Sequence, residues 1–254
     1  MLTVKDVYDY INSFAPFSMQ AKWDNSGMLV GDFAQQVKKI AVSLDITAEA
    51  VEYAANAGAD LIVSHHPVIF AAKKNVYSSD PVYLLAKNSM SAVCAHTSLD
   101  IANGGVNDAL CDKLMLKGEP LADEGEEAMV RVAQLDEVLS VGDFAAFVSE
   151  KLSTAVQVSD SGRMIKKIAL CGGAGADFMQ VAADCGCDAY VTGEAKHHEY
   201  LQAKQAGIAL ITAGHYETEN PVVDVIASKL EGKFGIEVVT VPTEAPYYTI
   251  ISKG

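Results

Sequence analysis

The sequence predicts an α/β fold with two related α/β lobes, each with a mainly parallel sheet flanked by helices. The first observation is an internal repeat, since residues 38–66 align without a gap on residues 166–194, with ten of 29 positions identical. The second is that each copy reads as strand, loop, helix and strand, an alternation typical of parallel sheets. We therefore predict a first lobe at 1–118 and a second lobe at 119–254.

Short apolar runs mark the strands of the repeat. Residues 40–44 and 61–63 have the length and composition of buried parallel strands, and residues 168–170 occupy the matching position in the second copy. The alanine-rich stretch that follows the first strand has a helical period that ends at a glycine. Each copy then continues through a helix into another buried strand, at 92–95 in the first and at 209–212 in the second.

An acidic stretch at 118–127 lies between the copies and lacks an apolar pattern, so it is predicted to be a solvated loop. Ser140 has the residue type of an N-cap, and Pro221 that of a first helical residue. The remaining predicted elements are a strand at 129–135, a helix at 141–152, a helix from 220 to about 229 and a strand at 236–241.

The charge balance excludes one class of partner. The 254 residues include 33 Asp and Glu against 19 Lys and Arg, a formal charge of −14, and no basic run is longer than Lys73-Lys74 or Lys166-Lys167. General binding to nucleic acids or anionic membranes needs a basic surface, so neither is expected. No segment approaches the roughly 20 apolar residues of a membrane span. We expect a soluble, cytoplasmic protein.

The five cysteines are predicted to be reduced. Their number is odd, and four of them stand in apolar surroundings that are typical of buried thiols. Cys185-Gly-Cys187 could in principle bind a metal ion, but it lacks a second cysteine pair, so the structural interpretation is favoured.

All six histidines fall at or just beyond the C-terminal end of a predicted strand. Ligands bind at this edge of parallel sheets, because the loops there converge without disturbing the strands. The alternative is a set of unrelated loop and capping residues. The six residues are His65, His66, His96, His197, His198 and His215.

Two of these histidines share a spacing with a carboxylate. His96 precedes Asp100 by four residues, and His215 precedes Glu219 by four, after corresponding strands. An imidazole and a carboxylate four residues apart meet on one face of a helical turn, or come together in a tight loop. Together with the adjacent pair His65-His66, the pattern predicts a dinuclear site bridged by one carboxylate. Imidazole and carboxylate ligands suit two divalent ions of Zn, Fe, Mn, Co or Ni.

Five ordered motifs resemble a known family. They are Trp23–Gly27 (WDNSG), Ser64–Pro67 (SHHP), His96–Asp100 followed by Asn103-Gly-Gly, Thr192–Glu194 (TGE) with His198, and Gly214–Glu219 (GHYETE). The chain is similar over essentially its whole length to the GTP cyclohydrolase I type 2 homologues, also called the Nif-three-like dinuclear-metal-centre family. It resembles the short bacterial form, because the stretch between the lobes is only about 45 residues long.

The resemblance implies a toroidal homohexamer, a trimer of dimers, whose dinuclear sites face a central cavity. It also implies the metal ligands. One ion would be held by His66 and Asp100, the other by His65 and His215, with Glu219 bridging them. His96 is left open, since the spacing makes it a ligand while the family pattern allows a supporting or proton-transfer role.

Three further features admit two interpretations each. Trp23 either fills a core or lies in a loop that positions polar groups near a ligand. Glu194, at the repeat position of His66, and His198 are candidates for a general acid or base, or else members of a structural hydrogen-bond network. Gly172–Gly175 could bind phosphate, but it lacks the Lys-Ser/Thr of a P-loop, so a tight strand-to-helix turn is favoured.

The predicted function is metal-dependent hydrolysis of a nucleotide-like or phosphorylated small molecule, with purine ring opening implied only by the family's name. The alternative is a hexamer that handles metal ions or regulates through protein contacts with little or no catalysis. Two divalent ions would bring about +4 against Asp100 and Glu219, leaving a local charge of about +2 inside an acidic protein. A small anionic molecule entering the cavity is therefore compatible with the composition.

Overall fold

The computed structural model describes residues 1–122 and 125–247. The chain divides into two compact units. Unit 1 comprises Met1–Gly105 and Val222–Thr243, and unit 2 comprises Val106–Pro221 and the described residues from Glu244 onward. Because residues 222–243 belong to unit 1, the boundaries of the two units differ from those of the predicted lobes. The division at residue 118 stays a prediction.

Unit 1 contains a five-stranded sheet in the order β1-β4-β3-β2-β11. Strands β2, β3, β4 and β11 run parallel, and β1 pairs antiparallel with β4 at the edge. Its strands are β1 Gly27–Val30, β2 Lys39–Ser43, β3 Leu61–Ser64, β4 Ser91–Cys94 and β11 Glu237–Thr240. Its helices are α1 Val4–Phe14, α2 Ala48–Asn56, α3 Pro81–Lys87, α4 Thr97–Ile101 and α10 Pro221–Phe234, the last of which begins at the final residue of unit 2.

Unit 2 contains a six-stranded sheet in the order β5-β6-β8-β9-β10-β7. Strands β8, β9 and β10 run parallel, and the others pair antiparallel. Its strands are β5 Glu119–Pro120, β6 Arg131–Leu139, β7 Gln157–Ser159, β8 Ile165–Cys171, β9 Ala189–Thr192 and β10 Ala209–Thr212. Its helices are α5 Val106–Lys113, α6 Val141–Leu152, α7 Met179–Asp184, α8 His197–Ala206 and α9 His215–Glu219.

The parallel strands of both units are built alike. Ile40 pairs with Leu61 in unit 1, and Ile168 pairs with Ala189 in unit 2. Asp60 accepts hydrogen bonds from the backbone N–H groups of residues 38 and 39, and Asp188 does the same for residues 166 and 167. Each pair of matching positions is separated by the same interval as the two copies of the sequence repeat.

Local sequence signals define several helix ends. The Ser140 side chain accepts from the backbone of Asp143 and begins α6 at Val141, as predicted. Asp80 caps α3, and Pro81 is the first residue of the helix. Proline suits this position because it lacks the N–H that would otherwise need a partner there. Thr3 and Asp6 form a reciprocal capping box at the start of α1.

Central strands are buried on both faces. Every residue of β3, β4, β9 and β10 is buried, which explains why these strands read as continuous apolar runs rather than alternating ones. Helices cover each sheet, so the mixed α/β class is confirmed. Four of the five cysteines are buried thiols and Cys185 is exposed, which agrees with the predicted reduced state.

The predicted loop at 118–127 is more structured than expected. Residues 119 and 120 form β5 at the edge of the unit 2 sheet, and a 3-10 turn occupies 126–129. Asp123 and Glu124 lie outside the described residues. Across the part of the chain that the structure describes, we find no helix with the length and apolarity needed to span a membrane.

Candidate metal centre

Three histidines of unit 1 form a cluster at the C-terminal edge of its parallel strands. His65 and His66 follow β3, and His96 follows β4, so the pairing of these strands brings the three rings together. One ring nitrogen from each residue lies within 4.8 Å of the others. This group, the imidazole cluster, could hold a metal ion.

Each ring of the imidazole cluster is held through its Nδ1 atom. His65 Nδ1 lies 3.0 Å from the backbone oxygen of Ala95, His66 Nδ1 lies 2.8 Å from Asp45, and His96 Nδ1 lies 2.8 Å from Asp24. A carbonyl oxygen only accepts hydrogen bonds, so Nδ1 of His65 carries a proton. This arrangement is typical of histidines that bind metal ions through Nε2.

Asp24 holds His96 in place through hydrogen bonds. Burial by itself would raise the pKa of this carboxyl, but hydrogen bonds from His96 and Thr97 outweigh that effect and hold the pKa well below its usual range. Asp24 also accepts a hydrogen bond from Ser26 Oγ, whose oxygen in turn accepts from the backbone N–H of His96. The carboxylate is therefore ionised and fixes both the ring and the backbone of His96.

Asp100 lies on α4 and faces His65. Its Oδ1 atom is 3.7 Å from His65 Nε2. His96 itself precedes the helix with a non-helical backbone, φ −98° and ψ −111°. The ring of His96 is held by Asp24, and whether His96 and Asp100 pair as their spacing suggested stays a prediction.

In unit 2, a second cluster forms around His215, the first residue of α9. Its Nε2 atom lies 2.9 Å from Glu219 Oε2, one helical turn onward, as the four-residue spacing predicted. Its Nδ1 atom lies 2.9 Å from Glu194 Oε1 in the loop after β9. Both nitrogens of this ring thus face carboxylate oxygens within the His215 cluster (Glu194, His215 and Glu219).

The glycine-rich segment after β8 packs against this cluster. Gly173 has a left-handed φ of +59°, and a Cβ atom there would collide with the Glu219 carboxylate. Side-chain oxygens of Asn107, Thr218 and Thr192 accept from the N–H groups of residues 172, 173 and 175. These donors are already used within the protein, so the tight-turn interpretation is favoured over phosphate binding.

Glu194 and His198, the candidates for acid or base chemistry, are placed differently. Glu194 is exposed and lies against His215, where it orients the ring. His198 lies on α8 with 62% of its side chain exposed, and its Nε2 is 3.8 Å from Glu199 Oε1. His198 and Asp177 are among the residues that line a polar cleft of about 550 Å³. The catalytic roles of Glu194 and His198 stay predictions.

Trp23 does not fill a core. It is 57% exposed, and its ring centroid lies 5.9 Å from that of His96 and 6.0 Å from that of Phe70. The exposure of Trp23 therefore favours the interpretation that it lies in a loop.

Two residues that hold or adjoin the clusters were not identified from the sequence. Asp45 follows β2 at the same sheet edge as His65 and holds His66, so the criterion applied to histidines would have found it if carboxylates had been included. Tyr247 donates to Glu217 at 2.8 Å and accepts from the N–H of Tyr216, next to His215. Nothing in the local sequence of Tyr247 signals that contact.

The donors of both clusters suit a transition-metal ion. Neutral imidazole nitrogens with supported Nδ1 atoms, combined with carboxylate oxygens, match the ligands of Zn and similar divalent ions. The described residues thus include histidine and glutamate groupings that could hold metal ions.

Comparison with known proteins identifies the family. The model of the Duf34/NIF3 (NGG1p interacting factor 3) family matches residues 2–246. The chain belongs to the Duf34/NIF3 family. A relative from Clostridium acetobutylicum, named GTP cyclohydrolase 1 type 2 homolog, is 30% identical over 249 residues, which cover 92% of this chain and 93% of the relative. The resemblance inferred from the five motifs is confirmed.

Solved structures related to the Duf34/NIF3 family share the fold. A Staphylococcus aureus protein superposes with a TM-score of 0.90 at 26% identity, over 98% of this chain and 99% of its own. A Bacillus cereus protein related to NIF3 gives a TM-score of 0.89 at 19% identity, over 98% and 99% of the two chains, and supports the fold alone.

Proposed function

We propose that the protein is a metal-dependent hydrolase whose imidazole cluster and His215 cluster contribute to one dinuclear site. In this proposal two divalent ions would be held by His65, His66, Asp100, His215 and Glu219. The metals are two ions of Zn, Fe, Mn, Co or Ni per subunit. The substrate is a nucleotide-like or phosphorylated small molecule.

The observation that carries the proposal is the support at Nδ1. His65, His66, His96 and His215 each have a carbonyl or carboxylate oxygen at that atom, at 2.8 to 3.0 Å. Orienting four imidazoles in the same way has a clear purpose if Nε2 is to bind a cation, and no evident purpose if the rings merely cap loops. The name of the Clostridium relative supports a hydrolytic reaction on a nucleotide.

Divalent ions held there would supply the positive charge that polarises a phosphoryl or carbonyl oxygen and makes a water molecule more acidic. The protein's own residues prepare the site for this role. Asp45, Asp24 and Glu194 hold the rings of His66, His96 and His215 at Nδ1. Glu194 is also exposed, so the proposal retains it, with His198, as a candidate to move a proton during turnover.

The structural duplication belongs to the same proposal. We take the two parallel three-stranded cores to be copies of one ancestral unit, and the shared register and the matching Asp60 and Asp188 hydrogen bonds support this.

The test combines metal analysis with activity. Protein purified without chelators is expected to contain about two transition-metal ions per chain. It should also hydrolyse at least one member of a panel of nucleotides and phosphate esters, in which GTP ring opening is included. Glu219→Ala should lose metal and activity together. Glu231→Ala, which removes an exposed glutamate of α10, is the matched control and should retain both.

Two results would contradict the hydrolase. Turnover that persists at the native rate in metal-free Glu219→Ala protein would remove the metals from the reaction. Full metal content with no turnover on any substrate would favour the alternative, a hexamer that handles metal ions or acts through protein contacts.

The assembly is also proposed rather than observed. The family resemblance supports a toroidal homohexamer, a trimer of dimers, with the sites facing a cavity that admits a small anionic molecule. Size-exclusion chromatography with light scattering should give six times the 27.0 kDa mass of one chain. A monomeric mass at micromolar concentration would contradict this assembly.

A further inference from the structure

Two exposed aromatic rings lie beside the imidazole cluster. Trp23 is 57% exposed and Phe70 is 56% exposed. The ring centroids of Trp23 and Phe70 lie 5.9 and 6.1 Å from that of His96. Single exposed aromatics are common, but two that converge on one candidate metal ligand are a feature that needs a reason.

The loops that carry these rings are fixed in place. Asn25 Nδ2 donates to the backbone oxygen of Ile69 at 2.6 Å, which joins the Trp23 loop to the Phe70 loop. Asp24, the residue directly after Trp23, is bound by His96 and Thr97. The rings are therefore held next to the cluster before any ligand arrives, which lowers the entropy cost of using them as a binding surface.

The geometry defines how a ligand could use the two rings. Their centroids are 6.0 Å apart and their planes are tilted by 49°. A third ring inserted between them would need two parallel faces about 7 Å apart, so a sandwich does not fit. Because both side chains are more than half exposed, either ring can offer a surface on which one flat ring stacks.

We propose that Trp23 and Phe70 form an aromatic platform that selects ligands carrying a planar heteroaromatic ring. The proposal rests on the hydrolase function above and specifies its substrate class. Such a ring stacks on the platform while an anionic group of the same molecule reaches the imidazole cluster. An aliphatic sugar phosphate offers the anionic group but cannot stack, so it binds more weakly.

Trp23 makes the test direct because it is the only tryptophan of the chain. Its fluorescence is followed in the metal-loaded protein during titration with GMP and, separately, with ribose 5-phosphate, which has the same sugar phosphate without the ring. Affinities are measured in parallel by calorimetry. GMP should quench Trp23 and bind at least about fivefold more tightly than ribose 5-phosphate, the lower limit for one base stacked on aromatic side chains.

Variants then assign the effect to the platform. Phe70→Leu should weaken GMP binding at least about fivefold and leave ribose 5-phosphate binding unchanged, while Phe70→Tyr should retain both. Phe33→Leu is the matched control, since Phe33 is another partly exposed phenylalanine of unit 1 that packs on Tyr8. It should behave like the native protein.

Two outcomes overturn the platform. Equal affinities for GMP and ribose 5-phosphate in the native protein would show that the ring is not recognised. Loss of oligomer mass in Phe70→Leu, with unchanged GMP affinity, would show that the two rings pack against another subunit. Because binding is measured without turnover, a catalytically inactive protein that still prefers GMP would contradict the hydrolase and leave the platform standing.

Discussion

Glu194 Oε1 lies 2.9 Å from His215 Nδ1. Both residues were selected from the sequence, one as a metal ligand and one as a candidate acid or base, and the contact suggests that Glu194 acts by orienting the ligand. The two roles make different predictions for substitutions of Glu194.

If Glu194 orients His215, Glu194→Ala should weaken metal binding by about 10-fold or more, because the imidazole loses the acceptor that fixes its tautomer. Glu194→Gln should bind metal nearly as well, since its amide oxygen still accepts a hydrogen bond. Competition with a chromogenic chelator measures both affinities. Glu150→Ala, on the surface of α6, is the control. Native metal affinity in Glu194→Ala, combined with lost turnover in both variants, would instead identify an acid or base.

Asp45 should contribute to metal binding because it holds the ring of His66, a proposed metal ligand. Asp45→Ala removes the carboxylate 2.8 Å from His66 Nδ1 and should lower metal affinity about 10- to 100-fold. The same chelator titration applies, with Asp224→Ala, an exposed aspartate of α10 in the same unit, as the control. An unchanged affinity in Asp45→Ala would mean that the His66 ring is positioned without it.

Gly173 should tolerate no side chain. Alanine there would carry a left-handed strain of about 1–2 kcal/mol and would also displace the Glu219 carboxylate, so both stability and metal content should fall. Gly186→Ala is a sharp control, because Gly186 has a similar φ of +73° but open space around the added Cβ. It should lose similar stability and keep its metal. Thermal unfolding and elemental analysis of the two variants separate strain from collision.

Arg131 is a fully buried charge in unit 2, held by Asp108 at 2.5 Å. Asp108→Ala should lower the free energy of unfolding by about 3 kcal/mol, because the guanidinium then stays buried without the Asp108 carboxylate. Urea unfolding monitored by circular dichroism measures the loss. Asp9→Ala, which breaks the exposed Lys5 pair on α1, should change stability little. A similarly small change in Asp108→Ala would mean that water reaches Arg131.

Local sequence was sufficient for most of the elements and for the residues of the two clusters. Buried parallel strands read as unbroken apolar runs, and Ser140 and Pro221 mark helix starts through chemistry that acts within a few residues. The histidines were found because strand ends in a parallel sheet share one edge. These signals depend on neighbours along the chain, so a single sequence contains them.

The tertiary structure decided the contacts that join distant segments. Asp45 meets His66 across 21 residues, Asp24 meets His96 across 72, and Asn25 joins Ile69 across 44. It also showed Trp23 to be exposed and returned 222–243 to unit 1. Hydrogen bonds of this kind depend on where loops and strands pack in space, and one sequence without folded coordinates does not record that arrangement.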